Sequence, residues 1–427
     1  MRELLSRFMP EGSFARNVGM LTGGTAFAQA LTVLALPLLT RLYTPEDFEL
    51  LAVYVAVLSM VTVVSSLRYN IAIPLPEEDR HGMALLVLSL LCAAAVSALL
   101  ATFVWLFPAI VADRLGQPSL MPYLWMVPLG VFLAAVYGAL QYWSSRKKRF
   151  ALITRTRVTR ATGGIGAQAA VGFFAPSPFG LIFGHMLYGG LGVLGLARDL
   201  VLKDREALER IGLRQIKARA LEYRRFPLWS VPESLFNTAS IQLPLILIAA
   251  STAGPEAGFL MLAMRVMGVP MALVGSSVAQ VFLAEAPKKY REGSLLAFTR
   301  HTMSALLKTG GPPLVAVGIL SPILFPLIFG PSWQRAGSLV AWMTPWFVLQ
   351  FVASPVSMVL HVTSKQGVAT AMQLFGLIIR FGALMLFIPE HPALLPEVYA
   401  LSGLVFYFVY IYVIYAVLRT QERGLAS

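Results

Sequence analysis

Charge and cysteine are what this sequence has least of. Only 13% of its 427 residues are charged, against about 25% in soluble domains. Too few polar residues remain to coat a water-soluble core of that length, which excludes an ordinary soluble globular protein. The single cysteine, Cys92, sits in an apolar run, so no internal disulfide can form. The five histidines, His81, His185, His301, His361 and His391, are scattered singly. No Cys/His cluster at metal-ligand spacing results, and each histidine reads as a loop or packing residue. A phosphate-cradling glycine loop with its lysine is missing, as is a nucleophile elbow. No cofactor is implied, no loop is long enough to house a catalytic domain, and an enzyme is not expected.

What the chain has is apolar length. Hydrophobic residues make up 57% of it, and the mean hydropathy is +0.72. A helix needs roughly 20 apolar residues to cross a bilayer core of about 30 Å. Twelve stretches qualify, at 18–40, 48–73, 83–107, 119–142, 150–174, 179–197, 226–250, 256–284, 302–329, 336–361, 367–388 and 396–418. The polar start, MRELLSRFMPEGSFARN, carries no cleavable-signal core. The run from Val18 to Leu39 is too long for a signal peptide and reads as a retained span. The fold class expected is an all-α polytopic membrane protein of about 12 transmembrane helices.

The formal net charge of +13 raises nucleic acid as a partner, but its distribution gives another account. With the N-terminus in the cytoplasm, that side holds Arg2, Arg7, Arg16 and Arg80. It also holds Arg146, Lys147, Lys148 and Arg149, with Arg155, Arg157 and Arg160 just beyond. Nine more basic residues fall between Arg198 and Arg225, then Lys288, Lys289, Arg291, Arg300, Lys365, Arg419 and Arg423. The opposite face has only Arg41, Arg114 and Arg335. This is the positive-inside bias, so no nucleic acid is needed. Both termini are expected in the cytoplasm.

The longest loop, Arg198 to Arg225, divides six spans from six. It reads as a basic helical segment at the membrane surface, drawn to anionic lipid. The expected organisation is a six-helix bundle at 1–200, a basic linker at 201–225 and a second six-helix bundle at 226–427. A short internal match supports two halves. TRLYTPEDF joins the first pair of spans and STAGPEAGF joins the seventh and eighth, giving Pro45-Glu46 and Pro255-Glu256. Pro37 and Pro244 lie in the two preceding spans. An even number of spans per half makes the repeat parallel. Prolines also fall in spans at Pro128, Pro232, Pro270, Pro326, Pro345 and Pro355. They read either as packing kinks or as hinges around a cavity.

Polar groups in the spans are costly and so mark candidate sites. Arg265 and Arg380 lie near mid-bilayer, about ten and thirteen residues into their spans. Arg68 and Lys308 are nearer the cytoplasmic ends, where a long stem can snorkel. Arg157 and Arg160, three apart, should share a face of the fifth span. Acids are few: Glu233 is a candidate coupling group, and Glu285 closes the eighth span. The expected lumen is therefore cationic and suits an anionic substrate, with arginine forks matching phosphate oxygens. Gln29, Gln141, Asn237, Gln242 and Gln280 add hydrogen-bonding capacity for sugar hydroxyls or for neighbouring helices.

The stretch from Gly23 through AQALTVLALPLLTRLYTPEDF, then SLRYNIAIPLPEE, resembles the start of bacterial oligosaccharide flippases. These are the Wzx-like polysaccharide transporters of the multidrug/oligosaccharidyl-lipid/polysaccharide exporter superfamily. RRFPLWSVPESLFNTASIQLPLILIA, GPEAGFLMLAMRVMGVPMALVGSSVAQVF, FGPSWQRAG and SPVSMVL continue the likeness. The resemblance implies two six-helix bundles around a central cavity that opens alternately to each face. It implies an undecaprenyl-pyrophosphate-linked oligosaccharide as substrate, flipped across the bacterial inner membrane for O-antigen, capsule or exopolysaccharide. Polysaccharide polymerase and chain-length proteins are candidate partners besides membrane lipids. In LRYNIAI the family more often has an acid where this chain has Asn70. Competing expectations are a multidrug antiporter, which would need interior carboxylates, and a polymerase or ligase, which would need a large outer loop. A lipid II flippase, which usually has two extra spans that are not evident here, is a third, and a scaffold for synthesis enzymes is a fourth.

Overall fold

The computed structural model describes residues 13–209, 211–363 and 365–426. Arg2, Arg7 and Arg210 lie outside them. Among the described residues the chain is helical, with no strand. The first half comprises α1 (Ser13–Leu34), α2 (Pro45–Ser65), α3 (Asp79–Leu106), α4 (Met126–Arg146), α5 (Phe150–Phe174) and α6 (Pro178–Lys203). The second comprises α7 (Phe226–Ser251), α8 (Glu256–Arg291), α9 (Leu295–Phe329), α10 (Gln334–Ala353), α11 (Gln366–Phe387) and α12 (Leu395–Ala426).

Local chemistry explains the element ends. Thr44 starts α2 with a capping box: its hydroxyl accepts from the Asp47 amide at 3.3 Å, and Asp47 accepts from the Thr44 amide at 3.0 Å. Pro45 occupies the first helical position, where a missing N–H costs nothing. The TPEDF motif is thus a helix start, worth about 1 kcal/mol. Gly330, at φ 109°, ends α9 in a conformation that disfavours any side chain. It thereby delivers Trp333 to the seam between the halves.

Twelve long helices follow one another as expected, and eleven helical runs among the described residues are by themselves long and apolar enough to cross a membrane. The exception is α5: it has 25 residues, but Arg155, Arg157 and Arg160 and four threonines make its first half too polar. It packs between α1 and α6 instead of standing against lipid all round. The second span, expected to run to residue 73, stops as a helix at Ser65. Leu67 and Arg68 both take left-handed φ values, 47° and 60°, before a short turn at Tyr69–Ala72. Two such residues in a row are strained at about 1–2 kcal/mol each. Ser66 helps hold the break by donating to Asn70 Oδ1 at 3.0 Å.

The parallel repeat is written into the packing. In the first half α1 packs on α5, α2 and α3 on α4, and α6 on both α4 and α5. In the second, α7 packs on α11, α8 and α9 on α10, and α12 on both α10 and α11. Adding six to each label converts one set into the other. Contacts between halves obey the same rule, since α2 meets α7 as α8 meets α1, and α2 meets α8. Lipid gives no hydrophobic drive between helices, so close approach relies on small residues. Gly184 meets Gly164 so tightly that a Cβ on it would lie 2.7 Å from the Gly164 carbonyl oxygen.

The linker is helical at Arg205–Glu209 and Leu213–Glu222. Both pieces pack on α3, and Tyr69 donates to the Ala220 carbonyl at 3.1 Å. An ion cluster anchors the preceding segment. Arg149 bonds Asp199 at 2.8 Å and Asp204 at 2.9 Å, and Trp143 Nε1 donates to Asp204 at 2.9 Å. Burial opposes the charge on Arg149, but the two carboxylates outweigh it and hold its pKa above the usual arginine value.

Candidate functional site

Two cavities flank α8 and share Met264 and Gly268. The first, about 330 Å³, lies between α1, α5, α6 and α8. Arg265 lines it with Gln29, Thr32, Gln168, His185 and Tyr188. The second, about 410 Å³, lies inside the second half. There Arg380 is joined by Asn237, Gln350 and Gln373 and a wall of aromatic rings. Neither lining contains a carboxylate, so both cavities are electropositive. A π-turn at Met271–Gly275 follows Pro270 in α8 and borders the first cavity through Ala272. Such an irregular turn in a helix commonly marks a functional bend.

The two arginines are held differently. Arg265 is half-buried, and no ion pair holds it among the described residues. Arg380 is buried, stacks over Phe406 at 4.8 Å and Trp346 at 5.4 Å, and donates to Ser240 Oγ at 3.3 Å.

Of the residues singled out from sequence, the structure brings Arg265 and Gln29 to the first cavity and Arg380 and Asn237 to the second. Arg68 sits at the end of α2 within electrostatic range of Glu233 on α7, across the boundary between halves. Arg157 and Arg160 do not act together, although they leave one stretch of α5. Arg157 bonds Thr25 on α1. Arg160 lies between Tyr137 of α4 and Tyr188 of α6, 3.7 and 4.5 Å from their ring centres, and donates to the Tyr188 carbonyl. Their long stems diverge to different neighbours. Lys308 and Gln280 are exposed, Gln242 is half-buried, and none of the three lines either cavity.

His185, Gln168, Gln350 and the tyrosines Tyr407 and Tyr410 escaped the sequence reading. Their signal was helical spacing of polar groups: His185 with Tyr188, Gln373 with Arg380, and Gln350, Ser354 and Ser357 along one face. Among the described residues no group of three or more His, Cys, Asp or Glu could hold a metal ion.

The halves close on each other at the face expected to be outer. Trp333 Nε1 donates to the Thr40 carbonyl at 3.0 Å, and its ring packs edge-on against Phe48 at 4.8 Å and Phe259 at 5.9 Å. Gln117 Nε2 donates to the Ala249 carbonyl at 3.1 Å. Gly258 admits the Pro45 carbonyl, and a Cβ there would lie 2.8 Å from the Glu49 nitrogen. Buried Glu49 faces the start of α8 beside Ala257.

Two quasi-equivalent helical halves around a carboxylate-free, arginine-bearing cavity define an all-helical, multi-pass membrane fold. The chain belongs to the family of polysaccharide biosynthesis proteins, whose model matches residues 38–338. No curated protein matches the chain. Among solved structures it is similar to the lipid II flippase MurJ in an inward closed conformation. That likeness has a TM-score of 0.68 and 11% identity, over 92% of this chain and 87% of that one. An inward-facing multidrug resistance MATE family transporter of the MOP superfamily gives 0.59 at 13% identity, over 95% and 94%. A MOP superfamily transporter from Pyrococcus furiosus gives 0.54 at 12%, over 96% and 95%. Identities this low establish the fold alone.

Proposed function

We propose that this protein is a flippase that moves an oligosaccharide linked to undecaprenyl pyrophosphate from the cytoplasmic to the outer leaflet of the bacterial inner membrane. The observation that carries the reading is Arg265, in a cavity between the halves whose lining holds no carboxylate. A guanidinium costs on the order of 2.5–3.5 kcal/mol at the bilayer centre. Water and an anionic ligand offset that cost, and its planar fork matches phosphate oxygens in pairs. Arg68, at the helix break below, would draw the pyrophosphate in from the cytoplasmic side.

Three further facts support the reading. The family is one of polysaccharide biosynthesis proteins. MurJ, similar in fold, is a lipid II flippase. The halves meet tightly at the expected outer face, the arrangement in which a lipid-linked anion would load from the inner leaflet. Multidrug antiport is disfavoured because an organic cation would meet arginines with no carboxylate to balance them. A polymerase or ligase role is disfavoured because the outer turns, such as residues 330–335, are too short for a catalytic loop.

Deleting the gene should leave lipid-linked units on the cytoplasmic leaflet and strip a surface polysaccharide, with wild-type protein restoring both. Units that still reach the outer leaflet but remain unpolymerised would transfer the assignment to a polymerase.

A further inference from the structure

Three residues of the second-half cavity each keep a buried polar atom without a partner: Trp346 Nε1, Gln350 Oε1 and Arg380 Nε. Buried polar groups are nearly always satisfied, so three orphans around one cavity point to a ligand. Two of the three are donors and one is an acceptor. A hydroxyl both donates and accepts, and so satisfies all three.

The rest of the lining points the same way. Phe406, Tyr407 and Tyr410 line the cavity with Trp346, and Asn237 and Gln373 offer amides. Aromatic faces carry partial negative charge and attract the weakly positive C–H groups of a sugar ring. The first cavity lacks this wall, with Tyr188 and His185 as its aromatic members. Arg380 is already stacked on two rings and bonded to Ser240, which leaves less of its fork for a pyrophosphate. Its charge in turn repels the organic cations that an aromatic wall would otherwise suit.

We propose that the second-half cavity is a saccharide subsite, where the aromatic lining packs against a sugar ring and Trp346 Nε1, Gln350, Asn237 and Arg380 engage its hydroxyls. The inference rests on the flippase reading and refines it: Arg265 takes the pyrophosphate, and α10, α11 and α12 select the sugar.

The test uses full-length protein in lipid nanodiscs and two kinds of probe. One is bare undecaprenyl pyrophosphate; the other is the same lipid carrying a single glucose, galactose or N-acetylglucosamine. Wild-type protein should bind at least one sugar-bearing probe about tenfold more tightly than the bare lipid, the worth of one or two neutral hydrogen bonds. Gln350→Leu and Trp346→Phe should each remove most of that preference while changing bare-lipid affinity less than about twofold. Gln350→Leu is near-isosteric; Trp346→Phe loses one ring of the indole, so thermal unfolding is measured beside wild type to confirm that both variants fold. Arg265→Ala should weaken every probe alike. A wild-type protein that prefers no sugar, or variants that keep the full preference, would overturn the subsite. Undiminished binding of bare lipid by Arg265→Ala, with the sugar preference intact, would instead remove the pyrophosphate role and leave the subsite standing.

Discussion

The indole of Trp333, from the second half, donates to the carbonyl of Thr40, from the first, at 3.0 Å. The bond closes the face where Gly258 lets the α8 backbone rest on Pro45 and Glu49. Any β-branched residue at 258 would force the two helices apart there. We therefore expect Gly258→Val to open the outer seam. A cysteine replacing Gln29 in a Cys92→Ala background should then react several-fold faster with an impermeant thiol reagent added outside cells. An unchanged rate would mean that this contact is not the gate.

The lysine and arginine asymmetry sets the expected orientation. Ser332→Cys and Glu206→Cys, made singly in the Cys92→Ala background, should label oppositely in intact cells. Both positions are exposed, and neither change removes a positive charge. External labelling at 206 would reverse the topology.

Arg265→Ala should abolish export while leaving normal amounts of protein in the membrane. Arg265→Lys should keep part of the activity, since the charge survives and the fork does not. Full export by Arg265→Ala and Arg380→Ala, alone and combined, at normal expression would make both arginines structural.

Stability should depend on Arg146 far more than on nearby surface charge. Arg146 donates to the Ile73, Pro76 and Glu77 carbonyls and to Asp79, with only 8% of its side chain exposed. Removing it strands the part-buried Ile73 and Pro76 carbonyls, and Arg146→Ala should cost about 2–3 kcal/mol. Lys203 pairs with Asp199 from an exposed position, and Lys203→Ala should cost less than about 0.5 kcal/mol. Thermal unfolding of the purified variants in detergent measures both. Equal losses would show that the cage around Arg146 does not matter.

Much of the fold could be read without coordinates. A span in lipid must satisfy its own backbone, so each apolar run is committed to helix whatever its neighbours do. That is why the TPEDF and GPEAGF turns disclosed a two-fold repeat that the packing repeats helix by helix. Where local sequence conflicted with that rule, the reading slipped. The polar start of α5 is tolerated because α1 and α6 cover it, and the break at Leu67 and Arg68 is held by contacts distant in sequence.

The sequence by itself determined the number and order of the helices and the excess of arginine over interior acid. These are sums and spacings along one strand of chain. Only the tertiary structure decided which polar groups meet. It sent Arg157 to Thr25 and Arg160 between two tyrosines, and left Lys308 exposed. It brought His185, dismissed as a packing residue, to the cavity of Arg265, and grouped Trp346, Gln350 and Arg380 around another. The physical reason is rotation: length and apolarity place a helix in the bilayer, but packing against its neighbours sets the direction in which each side chain points.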